Sequence, residues 1–445
     1  MVDLRAKGYE ILSKVVTAVK RPITAYRSGK KPQFAGGPRL LFCVTFRPLM
    51  SLNDISQHLA SPQGPVDRAL EAQPGLPEVM PQLAEKVSFF DLPMDELAAR
   101  LSGMGKEKFR AKQLFNWVYQ QRIHDFDQMS NVSKSFRAEL PTLFDFRELK
   151  VVQELKSVDG TRKWLFDVGQ GMTVETVLIP SKDRLTLCVS SEVGCNMACR
   201  FCYTGKQKMK RRLSAGEIVG QFLHASDSLM KDDLRVTNIV FMGMGEPLDN
   251  PDEVFKAIRI LHEPDGIGFS RRKITVSTSG IVPLIPRITE AGVRLAVSLN
   301  APNDETRTKV MPINKRWNIH QLLDACKAHS EASGDHVTLE YVLLKDVTDR
   351  LEHARELYQL TKDVQCKINI IPFNEHPGTD YLRPDAEQVV KFQNELIRLG
   401  AHVLLRRTMG RDIFAACGQL TSLYEGRPET MSTNKVNTIG EVARV

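Results

Sequence analysis

No stretch of the sequence comes near the roughly 20 consecutive apolar residues of a membrane-spanning helix. The most apolar candidate, LLFCVTFRPLM, is broken by Arg47 and Pro48, which excludes a helical membrane protein and leaves a soluble chain as the expectation. Net charge is also missing from most of the length. Residues 1–50 hold ten Lys or Arg against Asp3 and Glu10, which accounts for the whole formal charge of +8, so everything from residue 51 onward sums to zero. A high isoelectric point therefore does not imply a basic body, and only local patches can argue for nucleic acid. Cysteine is too scarce for a disulfide scaffold: there are eight in 445 residues, four of them between 188 and 202. Clustered thiols of this kind point to a reducing compartment and a metal site. Cys43, Cys326 and Cys366 stand in apolar surroundings and read as small buried hydrophobes.

Sustained periodicity is absent before about residue 85, where basic runs such as GKKPQFAGGPR alternate with SPQGP. This part reads as a flexible basic extension over 1–85, be it a transit peptide, a tail or an over-long start. A helical segment then begins at MDELAARLSGMGKEKFRAKQLFNWVYQQR, with apolar faces from Leu97, Leu101, Phe109, Leu114, Phe115 and Val118, and Gly103 and Gly105 between helices. Residues 151–183 alternate polar and apolar around Asp159-Gly160 and Gly169-Gln170-Gly171, as hairpin strands do. Six apolar runs follow: RLTLCVSS, NIVFMGMG, KITVSTSG, RLAVSLNA, VTLEYVLL and KINIIPFN. Interleaved with helical stretches, they predict a parallel α/β sheet, doubly wound or a partial barrel, whose strand C-termini gather at one ligand-binding edge. After the sixth run a helix is expected to open at Pro384, bury Val389, Phe392 and Leu396, and close at Gly400.

Cys195, Cys199 and Cys202 are spaced C-x3-C-x2-C in the loop after the first run. Three thiolates so placed suit three irons of a cubane cluster, leaving the fourth iron open for a ligand. A structural zinc site is the competing reading; it needs a fourth ligand, and His224 is available to complete a Cys3His set. Cys188 lies seven residues upstream of the triplet, and by itself reads as a buried thiol.

The cysteine triplet after a first barrel strand, with the glycine-rich GMGEP at 243–247, resembles the signature of radical S-adenosylmethionine enzymes. Six ordered motifs, VETVLIP, TLCVSSEVGC, FMGMGEPL, TVSTSG, PINK and AACGQL, are similar to the bacterial ribosomal RNA adenine-C2 methyltransferase family, whose members also modify transfer RNA. The similarity spans roughly residues 90 to 420. It implies a partial (β/α)6 TIM-like barrel over 184–380, a small N-terminal helical accessory domain that contacts RNA over 86–150, a hairpin linker over 151–183, and a C-terminal helix, strand and catalytic loop over 381–445. It further implies a [4Fe–4S] cluster on Cys195, Cys199 and Cys202, with S-adenosylmethionine held by Gly245, Glu246, Ser277, Ser298, Leu299, Asn300 and Asn374. Where Asn300 stands, family members often have His. Cys417 matches the cysteine that is itself methylated and Cys188 the resolving cysteine, although nearly 230 residues separate them. Glu175 matches the proposed proton acceptor; without the resemblance it reads as an outward Glu on an alternating strand.

The implied chemistry follows from the target atom. Adenine C2 is an electron-poor aromatic carbon that does not attack a sulfonium methyl, so Cys417 first takes a methyl by thiolate attack. A radical made from a second S-adenosylmethionine then removes hydrogen from that methyl group, the resulting carbon radical adds to C2, and Cys188 attacks the sulfur of Cys417 to release RNA with formation of a disulfide. A flavodoxin- or ferredoxin-type electron donor and a thiol reductant are implied partners, together with 23S rRNA and tRNA, for a cytoplasmic monomer. Two basic patches, KQKMKRRL with Lys206, Lys208, Lys210, Arg211 and Arg212, and SRRK at 270–273, are candidates for phosphate contacts; alone, each reads as a solvated turn. The runner-up activities are methylation at adenine C8 by the same cysteines and a non-catalytic RNA-binding protein with a structural metal.

Overall fold

The computed structural model describes residues 86–422. The expected extension over 1–85, Cys43 and the tail beyond Ser422 lie outside the described residues.

The helical segment is built on aromatic packing. Helix α1 (Met94–Gly103) carries Asp95 and Glu96 in its first turn, where the helix dipole favours negative charge, and buries Leu97 and Leu101. Gly105, at φ +73°, turns the chain toward α2 (Phe109–Phe115), which continues as a wider turn over Asn116–Gln120. Leu114, Phe115 and Val118 are fully buried as expected, whereas Phe109 is 48% exposed. It sits in the first turn of α2 beneath the Arg110 guanidinium, 4.6 Å from its ring, and faces away from the core. Helix α3 (Lys134–Leu143), capped by Ser133, buries Phe136 and Leu140. Phe89 joins these pieces, its ring meeting those of Phe115, Tyr119, Phe144 and Phe146.

The main sheet has ten strands: β1 (Lys150–Lys156), β2 (Arg162–Asp167), β3 (Thr173–Ser181), β4 (Arg184–Cys188), β5 (Asn238–Phe241), β6 (Ile274–Thr278), β7 (Arg294–Ser298), β8 (Val337–Leu343), β9 (Cys366–Pro372) and β10 (Val403–Leu405). Their spatial order is the sequence order, with no reversal. A doubly wound sheet requires a reversal, so the sheet is singly wound, as in a barrel, and it stays open between β1 and β10. All six apolar runs are parallel neighbours from β4 to β9, and β10 adds a seventh. Residues 151–183 are not a separate linker. Their three strands pair antiparallel with one another and, through β3, with β4, so they extend the same sheet.

Register decides which side chains face inward. Lys163 stands opposite Val177, Leu165 opposite Glu175 and Val177 opposite Cys188, which puts all of them on one face. The alternate positions, Trp164, Phe166 and Thr176, pack under helix α4 (Ala215–Met230), where both rings meet His224 edge-on and Thr176 bonds Gln221 at 2.6 Å. Strands β2 and β3 are thus covered on both sides. The chain continues through α5 (Pro251–His262), α6 (Ile285–Ala291), α7 (Asp304–Val310), α8 (Ile319–Ser333) and α9 (Leu351–Thr361) to α10 (Ala386–Leu399). That last helix begins after Asp385, whose carboxylate accepts from the Gln388 amide at 2.8 Å, so Pro384 precedes the cap. Val389, Phe392 and Leu396 form its buried face, each worth about 1.5–3 kcal/mol of apolar burial.

Candidate active site

Past β4 the chain enters the loop that carries the cysteine triplet. Cys202 donates its amide to Cys199 O at 3.1 Å and Cys195 donates to Gln207 O at 3.1 Å, so the loop folds back on itself. Gly205 lies so close beneath it that a Cβ there would stand 2.7 Å from Cys199 O. The three thiols line one cleft with Met242, Gly243, Gly245, Glu246, Ser277, Ser279, Ser298, Asn374 and Cys417. The cleft encloses ≈ 940 Å³ of empty space including its open mouth. Burial pushes all three thiols up, so metal loading must release their protons.

The donor set fits an iron–sulfur cubane better than zinc. His224 is held on the far face of the sheet by Trp164 and Phe166 and does not complete a fourth corner. Among the described residues no three His, Cys, Asp or Glu side chains surround a single ion. In a cubane the three thiolates meet three different irons and stand wider apart than around one ion. Beside the thiols the wall is cut back for a ligand. A Cβ at Gly243 would lie 2.6 Å from Val189 O, and one at Gly245, where φ is +98°, would lie 2.6 Å from Glu192 Cβ. Ser279, in the same wall, is buried beside the Glu246 carboxylate, to which its amide donates. These features suit [4Fe–4S] with S-adenosylmethionine.

Of the residues expected at S-adenosylmethionine, five line the cleft and two do not. Glu246 is buried, its oxygens accepting from Leu248 N at 3.1 Å and Ser279 N at 2.7 Å, while burial raises its carboxyl above the usual range. Its own amide donates to Glu192 Oε2 at 2.9 Å, and burial pushes Glu192 up to about 8. Ser277 Oγ donates to Glu340 Oε2 at 3.0 Å, and Asn374 Nδ2 donates to Cys417 O at 3.1 Å. Leu299 and Asn300 are buried behind the wall. Asn300, at φ +55°, spends its side chain internally: Oδ1 accepts from Val342 N at 2.9 Å and Nδ2 reaches Met311 Sδ at 3.3 Å. The amide that replaces the family's frequent His thus braces the strand end.

Cys188 and Cys417, nearly 230 residues apart in the sequence, are near enough in the fold to interact electrostatically. Cys188 ends β4 on the inner face, where burial and then the neighbouring Cys417 push its thiol up to about 12. Burial pushes Cys417 up to about 11. Arg406 faces both sulfurs and pulls the other way, with its guanidinium 3.5 Å from Glu340 Oε1. Cys417 rides on the segment that leaves β10 and crosses to the β1–β2–β3 end of the sheet. Asp412 accepts from Ser157 Oγ at 2.6 Å, and Asp159 accepts from Gly410 N at 2.7 Å. On the cluster side, Tyr203 N donates to Gly418 O at 2.8 Å and Thr204 Oγ1 to Leu420 O at 2.7 Å.

Glu175 is fully buried, not outward: β3 is covered on both faces, and the register turns this carboxylate to the inner side. It does not line the cleft. Oε1 lies 2.9 Å from Lys163 Nζ, and Oε2 accepts from Thr421 N at 2.9 Å. The first basic patch is partly committed elsewhere. Arg211 grips Glu217 and the Val168 carbonyl, Arg212 pairs with Asp249 at 3.1 Å, and Lys206 donates to the Gly378 carbonyl. Lys208 and Lys210 are exposed, as are Arg271, Arg272 and Lys273. Sequence reasoning missed Lys163, Arg307, Glu340 and Arg406. Lys163 had a signal: a cation directly before Trp164, Leu165 and Phe166, where both parities of the strand are apolar, demands a buried partner.

Known proteins resemble the chain over most of its length. The Radical SAM superfamily profile matches residues 189–358, and the profile of the ribosomal RNA large subunit methyltransferase N-terminal domain matches residues 87–145. A dual-specificity RNA methyltransferase RlmN from Bdellovibrio bacteriovorus is 62% identical over 356 residues, spanning 80% of this chain and 89% of that protein. The RlmN of Geotalea uraniireducens is 47% identical over 337 residues, spanning 76% and 97%. The crystal structure of a radical SAM methyltransferase from Sphaerobacter thermophilus superposes with TM-score 0.72 at 41% identity, covering 76% of this chain and all (100%) of that one. The chain is therefore an enzyme of the radical SAM superfamily, which uses a [4Fe–4S] cluster and S-adenosylmethionine, and it belongs to the RlmN family of dual-specificity RNA methyltransferases.

Proposed function

We propose that the enzyme methylates C2 of an adenosine in 23S rRNA and in tRNA, with Cys417 as the methyl carrier and Cys188 as the thiol that frees the product. The observation that carries this reading is Cys417 in the wall of the cleft lined by the cysteine triplet, with Cys188, remote in sequence, ending β4 near enough to interact electrostatically with it. A carbon too poor in electrons to attack a sulfonium needs a protein nucleophile to accept the methyl first, and a thiolate at the cleft wall is that nucleophile. A second thiol within reach is needed to break the sulfur–carbon bond afterwards.

Cys195, Cys199 and Cys202 would hold the cluster, and Gly245, Glu246, Ser277, Ser298 and Asn374 would line the S-adenosylmethionine site. The chemistry supplied there is one-electron reduction, and hence hydrogen abstraction. Cys417 gives up its proton, bonds the methyl carbon and presents it to the base. After a proton leaves C2, Cys188 attacks the Cys417 sulfur; the sulfur–carbon bond breaks with its electron pair on the RNA-bound carbon, which takes up a proton to become the methyl group, and the two cysteines stay on the protein as a disulfide. Glu175, a carboxylate bonded to the Cys417 segment, is the candidate acceptor for the C2 proton. The cycle requires a thiol reductant and a flavodoxin- or ferredoxin-type donor, in a cytoplasmic monomer. The adenosine must leave its stack to reach the cleft, and Lys208, Lys210 and the 271–273 turn are the cations available for its flanking phosphates.

Nucleoside mass spectrometry of ribosomal and transfer RNA incubated with the reconstituted enzyme tests the proposal. The 2-methyl isomer is expected, and the 8-methyl isomer in its place overturns the position. Cys417→Ala should keep iron and sulfide yet leave RNA unmethylated. Cys188→Ala should accumulate a covalent protein–RNA adduct.

A further inference from the structure

Lys163 is an ammonium at 2% side-chain exposure inside a sheet, and nothing in the reaction above uses it. Its Nζ lies 2.9 Å from Glu175 Oε1 and also donates to Phe414 O at 3.0 Å. Phe414 comes three residues before Cys417. The other carboxylate oxygen, Oε2, accepts from Thr421 N, four residues after it. One buried ion pair therefore holds both ends of the segment at whose centre Cys417 stands. The strand register explains why it reaches both. Lys163 is opposite Val177 and Glu175 is opposite Leu165, a diagonal pair on the face that also carries Cys188. The pairing that fixes Cys188 therefore also fixes the grip on the Cys417 segment.

Stability does not explain the pair. Apolar residues of similar volume often replace buried ion pairs without loss, whereas removing one partner is strongly destabilising. What the charges add is geometry, since an ammonium gripping a carbonyl and a carboxylate gripping an amide define where the segment begins and ends. We propose that Lys163 is a positioning residue for the Cys417 thiol, acting through Glu175 and the Phe414 carbonyl to hold the methyl carrier against the cleft and beside Cys188. The proposal rests on the reading of Cys417 as methyl carrier.

The test uses full-length, cluster-loaded protein as wild type, Lys163→Met, Lys163→Arg and Lys163→Met/Glu175→Gln. Anaerobic alkylation by iodoacetamide is followed at each cysteine by peptide mass spectrometry, alongside steady-state RNA methylation. In Lys163→Met, Cys417 should alkylate about tenfold faster through local opening, while Cys326, buried in α8, keeps its wild-type rate. The same variant should lose about 100-fold in kcat, the scale of a misplacement near 1 Å, with KM for RNA unchanged. Lys163→Arg should restore the protection and most of kcat. The double variant keeps the proposal testable if Lys163→Met does not fold, because it removes both charges together; its Cys417 should alkylate faster as well. Unchanged alkylation of Cys417 in the folded variants, or equal acceleration at Cys417 and Cys326, overturns the proposal. RNA methylation by Cys417→Ala would instead sink the carrier reading and leave the alkylation contrast standing.

Discussion

Arg307 ties the ends of β6 and β7 to the turn over Pro312–Lys315. Fully buried, it donates to Leu299 O at 3.0 Å, Asn314 Oδ1 at 2.9 Å, Ser279 O at 2.6 Å and Ser298 O at 3.1 Å. The motifs STSG, SLNAP and PINK, unrelated when read along the chain, are thus the acceptors of one guanidinium. Only its planar fork serves so many oxygens, and burial lowers it to about 10 without discharging it at neutral pH. In Arg307→Met the orphaned buried acceptors cost about 1–3 kcal/mol each, so a loss of at least about 3 kcal/mol is expected in chemical denaturation, together with weaker S-adenosylmethionine binding. An unchanged unfolding midpoint would refute this. The cysteines were legible in the sequence because cluster ligation permits few residue types. Arg307 was not, because its neighbours DETRTKV read as an ordinary polar helix and its partners are backbone carbonyls.

At the scale of elements, the cluster loop depends on a close approach to its own backbone. A Cβ at Gly205 would meet Cys199 O at 2.7 Å and Cys199 N at 3.0 Å, and main chain does not yield as a side-chain tip does. Overpacking of this kind costs about 1–3 kcal/mol, equivalent to roughly a tenfold or greater loss of cluster retention. Gly205→Ala should therefore hold less iron and sulfide per chain with an unaltered far-ultraviolet circular dichroism spectrum, and full cluster content would contradict the geometry. Elements differed in how plainly they could be read. The six parallel strands were legible from their apolar runs and polar ends. Strands β1 to β3 were recognised as hairpins but not as part of the sheet, because alternation reports a strand without naming its neighbour. The charged inner residues of β2 and β3 also mimic solvent-facing positions; only pairing with Cys188 and contact with the Cys417 segment reveal that this face is interior.

Across the whole molecule, four thiols outside the triplet share one shift, Cys188 and Cys326 buried and Cys366 and Cys417 half-buried. Burial pushes Cys188 and Cys326 up to about 12, and Cys366 and Cys417 up to about 11, from an ordinary thiol value near 9.0. The folded chain keeps these protons where the unfolded chain releases them, so the contribution to stability is complete below about pH 9 and is lost as pH rises through the folded values. The cluster-free protein should melt at progressively lower temperature from about pH 9 upward, and Cys326→Ala should show a shallower decline; parallel slopes in the two would exclude Cys326 as a contributor. The path of residues 406–422 across the open side of the sheet has a further consequence for how the protein is made. Synthesis proceeds from the N-terminus, so the strand bearing Lys163 emerges 251 residues ahead of the carbonyl it grips. The thiols of Cys195, Cys199 and Cys202 therefore leave the ribosome more than 200 residues ahead of Cys417, and the segment that seats Cys417 can close only over strands already made.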